Sequence, residues 1–197
     1  MHPEPTERVP GLRDGGYSAW AAVQDLLQWL PAPCSLIPLH PRSKKPALNH
    51  WTTNPRMDPD STEGRHWFSG EAGIGLRCGT VSDGICAVDI DSDAWIARVE
   101  LLVPALGAAP KIIGARGCKW LVQCHGPNLR GRGLKCGPGV RLGEFLGDRQ
   151  QAVLAGIHPD TGRPYSWARL GPIPLIDPAG CFESIRHHVP EPKPTPP

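Results

Sequence analysis

Cys86-Ala87-Val88-Asp89-Ile90-Asp91-Ser92-Asp93 is an apolar run that ends in carboxylates at alternate positions. Strand side chains alternate faces with period two, so Asp89 and Asp91 point one way while Val88 and Ile90 point the other. The turn Ser82-Asp83-Gly84 separates this run from a second strand-like stretch, Gly73-Ile74-Gly75-Leu76-Arg77-Cys78. On the other side, Ser92 can cap a helix running through Trp95, Ile96, Val99 and Leu102 before Pro104. Further out, extended runs occupy residues 35–39, 111–113, 119–123, 140–146 and 151–155. Trp20, Val23, Leu27 and Leu30 recur at three- and four-residue steps, so residues 18–30 read as a helix stopped by Pro31 and Pro33. A short helix is expected over 63–68. Strands outnumber helices, and the two best helices flank the strand clusters. The fold class is therefore α+β, a mixed β-sheet flanked by helices.

The chain has 197 residues, about one domain's worth. Its 23 glycines and 24 prolines make it loop-rich, while 40% hydrophobic residues and seven tryptophans suffice for a core. Residues 1–16 read as a flexible leader, 17–188 as the folded domain, and the proline-rich 189–197 as a tail or linker stub. A net charge of +2 excludes a polyanion-coating protein. No stretch reaches the roughly 18 apolar residues of a membrane span, so no membrane partner is expected. Met1 to Pro10 lacks a basic region followed by an apolar one, so no secretory signal is expected. Seven cysteines, an odd number without a CxxC pair, point to reduced thiols and a cytoplasmic location. Cys118, Cys124, His125 and Cys136 could supply four zinc ligands, but lack the tight spacing of structural zinc knuckles.

Two carboxylates on one strand face repel each other unless a cation sits between them, and hard oxygen donors suit Mg²⁺ or Mn²⁺. Alone, the Asp89/Asp91 pair reads as a strand end with a solvated acidic turn. Glu144 is an isolated carboxylate in Val140-Arg141-Leu142-Gly143-Glu144-Phe145-Leu146. On a neighbouring strand it would complete a two-metal clamp for phosphoryl transfer; otherwise it is an edge glutamate facing water. Arg116 and Lys119 lie in Gly114-Ala115-Arg116-Gly117-Cys118-Lys119-Trp120, whose glycines let backbone approach an anion. Lys119 shares a face with Leu121 and Gln123, and Trp120 and Val122 share the other. His158, Arg163, Tyr165 and Trp167 cluster around the turn Pro159-Asp160-Thr161-Gly162. That mixture suits a nucleotide or single strand, and equally a plain hairpin with aromatics over the sheet. No GxxxxGK[ST], GxGxxG or GxSxG occurs, which excludes a P-loop ATPase, a dinucleotide-binding unit and a nucleophile elbow.

Taken in order, these segments resemble the bifunctional DNA primase/polymerase domain of the archaeo-eukaryotic primase superfamily, found in plasmid, phage and mobile-element replication proteins. The resemblance begins with Ser35-Leu36-Ile37-Pro38-Leu39, Lys44-Lys45-Pro46 and Trp51, and continues through Ile74-Gly75-Leu76-Arg77-Cys78-Gly79. Val88-Asp89-Ile90-Asp91 is similar to the family's first acidic motif, and Glu144 falls where its third acid lies. Gln150-Gln151-Ala152-Val153 and residues 158–167 resemble its closing hairpin. In one departure, Lys119 stands where many members carry a histidine that contacts the incoming nucleotide. A lysine can hold a triphosphate as a point charge but cannot act as a neutral acceptor.

The resemblance implies a primase-like fold with an RRM-like catalytic core and template-dependent nucleotidyl transfer. It implies Mg²⁺ or Mn²⁺ on Asp89, Asp91 and Glu144, and nucleoside triphosphate held by Lys119 and Arg116 with help from His158 and Lys44. Tyr165 and Trp167 would support base or sugar. A single-stranded or primed DNA template would lie on Arg130, Arg132 and Lys135, and a replicative helicase is an implied partner. Two rival readings share these residues: a catalytically inactive replication-initiation module that binds DNA, and a metal-dependent nuclease.

Overall fold

The computed structural model describes residues 7–126, 129–136 and 140–187, with the backbone alone at Cys136, Val140, Arg186 and His187. The proline-rich stretch 189–197 and residues 1–6 lie outside the described residues. Strands β1 (Leu12–Arg13) and β2 (Gly16–Tyr17) form a small hairpin, followed by helix α1 (Ala19–Trp29). Next come β3 (Leu36–Leu39), α2 (Thr62–Trp67), β4 (Gly73–Arg77) and β5 (Ile85–Ile90). A turn of 3₁₀ helix at Asp93–Trp95 leads into α3 (Ile96–Leu102). Then follow β6 (Lys111–Ile113), β7 (Cys118–Gln123), β8 (Arg132–Cys136), β9 (Val140–Leu146), β10 (Gln151–Ala155), β11 (Ser166–Arg169) and α4 (Pro178–His187).

The α+β class expected from the sequence is the one observed. Every pairing between these strands is antiparallel, so the sheets are antiparallel where a mixed sheet was expected. A six-stranded sheet runs in the order β11-β6-β7-β5-β9-β8, and a three-stranded sheet in the order β10-β4-β3. Although β4 and β5 are neighbours in sequence, they belong to different sheets.

Two apolar cores sandwich the large sheet. On one face Ile85, Ala87, Leu121 and Leu146 pack with the small sheet and α1. On the other, Val88, Ile90, Trp120, Val122 and Phe145 pack against Val99 of α3 and Phe182 of α4. The alternation read from the sequence thus buries both faces of β5. Its first face is apolar at Ile85 and Ala87 and turns acidic at Asp89, where the first core ends.

Ser18 caps α1, its hydroxyl accepting from the Ala21 N–H at 3.4 Å. The buried stripe of that helix is Ala19, Ala22, Val23 and Leu26, while Leu27 is 40% exposed. The expected face through Trp20 and Leu27 is therefore rotated, because small alanines let α1 lie close on the sheet. The described part of the leader is docked. Arg13 forms an ion pair with Asp25 of α1 at 2.8 Å, the Gly11 N–H donates to the same carboxylate, and Arg8 bridges to Trp167. Ser92 has extended, cap-like backbone angles but no side-chain capping bond. No helix among the described residues is long and apolar enough to cross a membrane.

Candidate active site

Strand register builds the site. Asp89 on β5 lies directly opposite Glu144 on β9 and Lys119 on β7. Directly opposed side chains share a face with Cβ atoms about 4.5–5.5 Å apart, so an acid, an acid and a cation form one row across three strands. Asp91 continues the Asp89 face, its N–H donating to the Leu142 carbonyl at 2.9 Å. Register between β8 and β9 shifts at Leu134/Lys135, and this bulge lets Arg141 reach Glu144 at 2.7 Å within the same strand. Lys119 Nζ lies 3.4 Å from Asp89 Oδ2, with only 13% of the lysine side chain exposed.

Behind Lys119 the strand is locked from the other face. Trp120 Nε1 donates to Glu100 at 2.9 Å, and the same carboxylate takes Arg169 at 2.7 Å and Lys111 at 3.3 Å. In front, Gly117 adopts a left-handed φ of 63° and donates its N–H to Asp93 at 2.7 Å. A Cβ there would collide with the Ile90 carbonyl. Asp93 therefore pins the 114–117 loop that carries Arg116, a positioning role the sequence reading did not assign.

A cleft of about 390 Å³ opens at this row. Lys44, Arg116 and Lys119 supply its cations, and Asp89, Asp91 and Asp160 its carboxylates, with His158 and Tyr165 on the wall. Equal numbers of both signs, grouped around one opening, suit a ligand bearing phosphates together with cations. Arg116 and Lys44 are exposed and make no ion pair among the described residues. Tyr165 is 3% exposed, and its hydroxyl has no hydrogen-bond partner among the described residues. Burial holds that phenol protonated, so it remains a donor at neutral pH.

His158, expected to help hold the triphosphate, sits on the cleft wall as a neutral ring. Burial, then the charge of Lys44, pull its pKa below the ordinary histidine value, against the opposing pull of Asp160. Its Nδ1 accepts the Asp160 N–H at 3.2 Å, which leaves the neutral ring's proton on Nε2. It offers the cleft a hydrogen bond and no charge.

The structure brings together Asp89, Asp91, Lys119, Arg116, Lys44, His158 and Tyr165. Glu144 stands one strand away from the cleft lining, turned to Arg141. Trp167 is not at the site. It is 1% exposed in the first core, its Nε1 donating to the Leu154 carbonyl, because residue parity on β11 points it inward. Arg130, Arg132 and Lys135 do not line the cleft either. Arg132 lies 5.1 Å over the Phe182 ring, on the face away from Asp89. Asp160 is a further cleft residue that sequence reasoning missed, since a carboxylate in a Pro-Asp-Thr-Gly turn is accounted for by the turn itself.

The metal question turns on the donors. Asp89, Asp91 and Glu144 are hard oxygen ligands on adjoining positions, chemistry that fits Mg²⁺ or Mn²⁺. Asp89 and Glu144 here face Lys119 and Arg141, and no three His, Cys, Asp or Glu side chains converge on one point among the described residues. Of the zinc alternative, Cys118 and Cys124 are buried with the Cys86 thiol against Cys124, no metal-holding group of three forms among the described residues, and the Cys136 side chain lies outside them. Burial pushes the Cys78 and Cys118 thiols up to about 12, which leaves them inert as nucleophiles.

No curated protein matches the chain. A family model does: residues 29–180, which contain every cleft residue named above, match the family described as bifunctional DNA primase/polymerase, N-terminal. The chain belongs to that family.

Proposed function

We propose that the chain is a template-dependent nucleotidyltransferase that makes primers, extends DNA, or does both, in the replication of a plasmid, phage or mobile element. The observation that carries this reading is the Glu144–Asp89–Lys119 row, with Asp91 beside it, at a cleft that also holds Arg116 and Lys44. Asp89, Asp91 and Glu144 would hold Mg²⁺ or Mn²⁺. When bound, such ions polarise the phosphoryl oxygens and neutralise charge developing on the leaving group. Lys119, Arg116 and Lys44 bind the triphosphate as point charges and a guanidinium fork. The Nε2–H of neutral His158 and the Tyr165 hydroxyl orient it. Arg130, Arg132 and Lys135 would contact template backbone outside the cleft. A cytoplasmic setting and a replicative helicase partner belong to the same reading.

The test is extension of a primed single-stranded template with labelled nucleoside triphosphates and Mg²⁺ or Mn²⁺, beside Asp89→Ala/Asp91→Ala. Extension is expected in the wild type and is expected to fall by at least about 10²–10³ in the variant, the scale for losing preorganised charge at a transition state. Variant extension equal to wild type overturns the assignment of these acids. Template binding without extension in the wild type would mark an initiation module, and a shortened primer a nuclease.

A further inference from the structure

A second cavity, of about 430 Å³, shares no lining residue with the cleft at Asp89. Trp51, Arg77, Thr80, Arg130, Asp148 and Arg149 form its chemically distinctive wall. Arg77, the last residue of β4, is only 6% exposed. Its terminal nitrogens donate to the carbonyls of Asn54 at 2.8 Å and Thr52 at 3.0 Å. Burial, and then the nearby Arg56, lower its pKa from the ordinary arginine value. Carbonyls satisfy hydrogen bonds but do not neutralise a charge, so a buried guanidinium without a carboxylate is costly until an anion arrives.

Two exposed guanidiniums, Arg130 and Arg149, flank it. None of the three arginines makes an ion pair among the described residues. The one carboxylate in the lining, Asp148, already accepts the N–H and the hydroxyl of Thr80 at 2.8 and 3.0 Å. Arg149 holds a left-handed φ of 63° in the turn that Gln150 closes onto the Gly147 carbonyl. Trp51, half-buried, adds an aromatic surface beside these cations.

We propose that this cavity is a second strand-binding site, taking a backbone phosphate of single-stranded nucleic acid between Arg77, Arg130 and Arg149 while Trp51 supports the adjoining base. Guanidinium forks for phosphate beside an aromatic platform are the chemistry of a single strand, whereas a free phosphate has no use for the indole. The cavity lies close in sequence to the acidic row. Asp148 follows Glu144 by four residues, at most about 14 Å of extended backbone. The inference rests on the nucleic-acid reading above but not on catalysis.

The experiment uses the full chain and a short fluorescent oligodeoxythymidylate, followed by anisotropy across a salt series and by tryptophan emission. Trp51→Leu is expected to weaken binding about fivefold or more, the lower end for one lost base stack, and to remove part of the emission quench. Arg149→Gln is expected to flatten the plot of log affinity against log salt by about 0.7, one phosphate contact, while Arg149→Lys retains the slope. Wild-type affinity and slope in Trp51→Leu and Arg149→Gln, with melting temperatures unchanged, would falsify the site. Full displacement of the oligonucleotide by equimolar inorganic phosphate or ATP would overturn the strand as ligand. Strand binding is read with neither nucleotide nor divalent metal present, so it is measured whether or not extension is ever seen. Loss of binding in Arg149→Gln therefore sustains this site even if the polymerase reading fails.

Discussion

Lys119 holds its ammonium 3.4 Å from Asp89 and 6.0 Å from the centre of the Tyr165 ring. Lys119→Met keeps the packed stem and removes the charge. The KM for nucleoside triphosphate should rise about 10–100-fold, the worth of a charged hydrogen bond, with a smaller change in kcat. An unchanged KM in steady-state kinetics would take Lys119 out of triphosphate binding. His158 makes a pH prediction. Its folded pKa lies below its unfolded value, so the unfolded chain takes the proton first as pH falls. Stability should be flat at neutral pH and above, and decline through the window below about 6.5, the unperturbed histidine value. Melting curves should show this dependence, and His158→Gln should reduce it. Asp89, Asp91 and Glu144 were legible because each interrupts an otherwise apolar run. Arg77 was not legible, since an arginine closing a strand usually reaches water and nothing local tells that a loop at Thr52–Asn54 covers it.

At the scale of elements, close strand approach is the constraint that positions the acids. A Cβ on Gly143 would collide with the Asp89 carbonyl across the β5–β9 pair. Gly143→Ala should therefore cost about 1–3 kcal/mol as an overpacking change. The melting temperature should fall about 2–4 °C per kcal/mol, read by calorimetry, and primer extension should drop because Glu144 and Asp89 move apart. An alanine variant with unchanged melting and extension would show that the two strands have slack. Runs with strong alternation or apolar content, such as β5, β7 and β9, are readable from sequence. β8, Arg-Gly-Leu-Lys-Cys, and β11, Ser-Trp-Ala-Arg, are short and polar and become strands through their partners. After Pro178, α4 runs through an unremarkable Ala-Gly-Cys, yet its start carried a usable signal. Asp177 accepts from the N–H groups of Ala179 and Gly180 at 3.1 and 2.9 Å, and Pro178 takes the first helical position.

The whole molecule depends on contacts between segments far apart in the chain, which local pattern cannot reveal. Periodicity identified β4 and β5 but could not assign them to separate sheets. Trp167 illustrates the point: it meets Trp29 edge-on at 5.5 Å and bonds Leu154, joining α1, β10 and β11. Trp167→Ala should cost about 3–5 kcal/mol and lower the melting temperature by roughly 6–20 °C. Leu101→Ser, at a residue 78% exposed, should stay within about 0.5 kcal/mol. The small sheet carries a further consequence. Its middle strand, β4, receives Leu36–Leu39 on one edge and Gln151–Ala155 on the other. During synthesis from the amino terminus, β3 and β4 can pair early, but the second edge of β4 stays open until Ala155 has left the ribosome. For the time needed to translate the seventy-odd residues between them, the nascent chain displays an unpaired apolar edge, so ribosome-bound chains halted just before β10 should be the ones that chaperones capture and that aggregate on release.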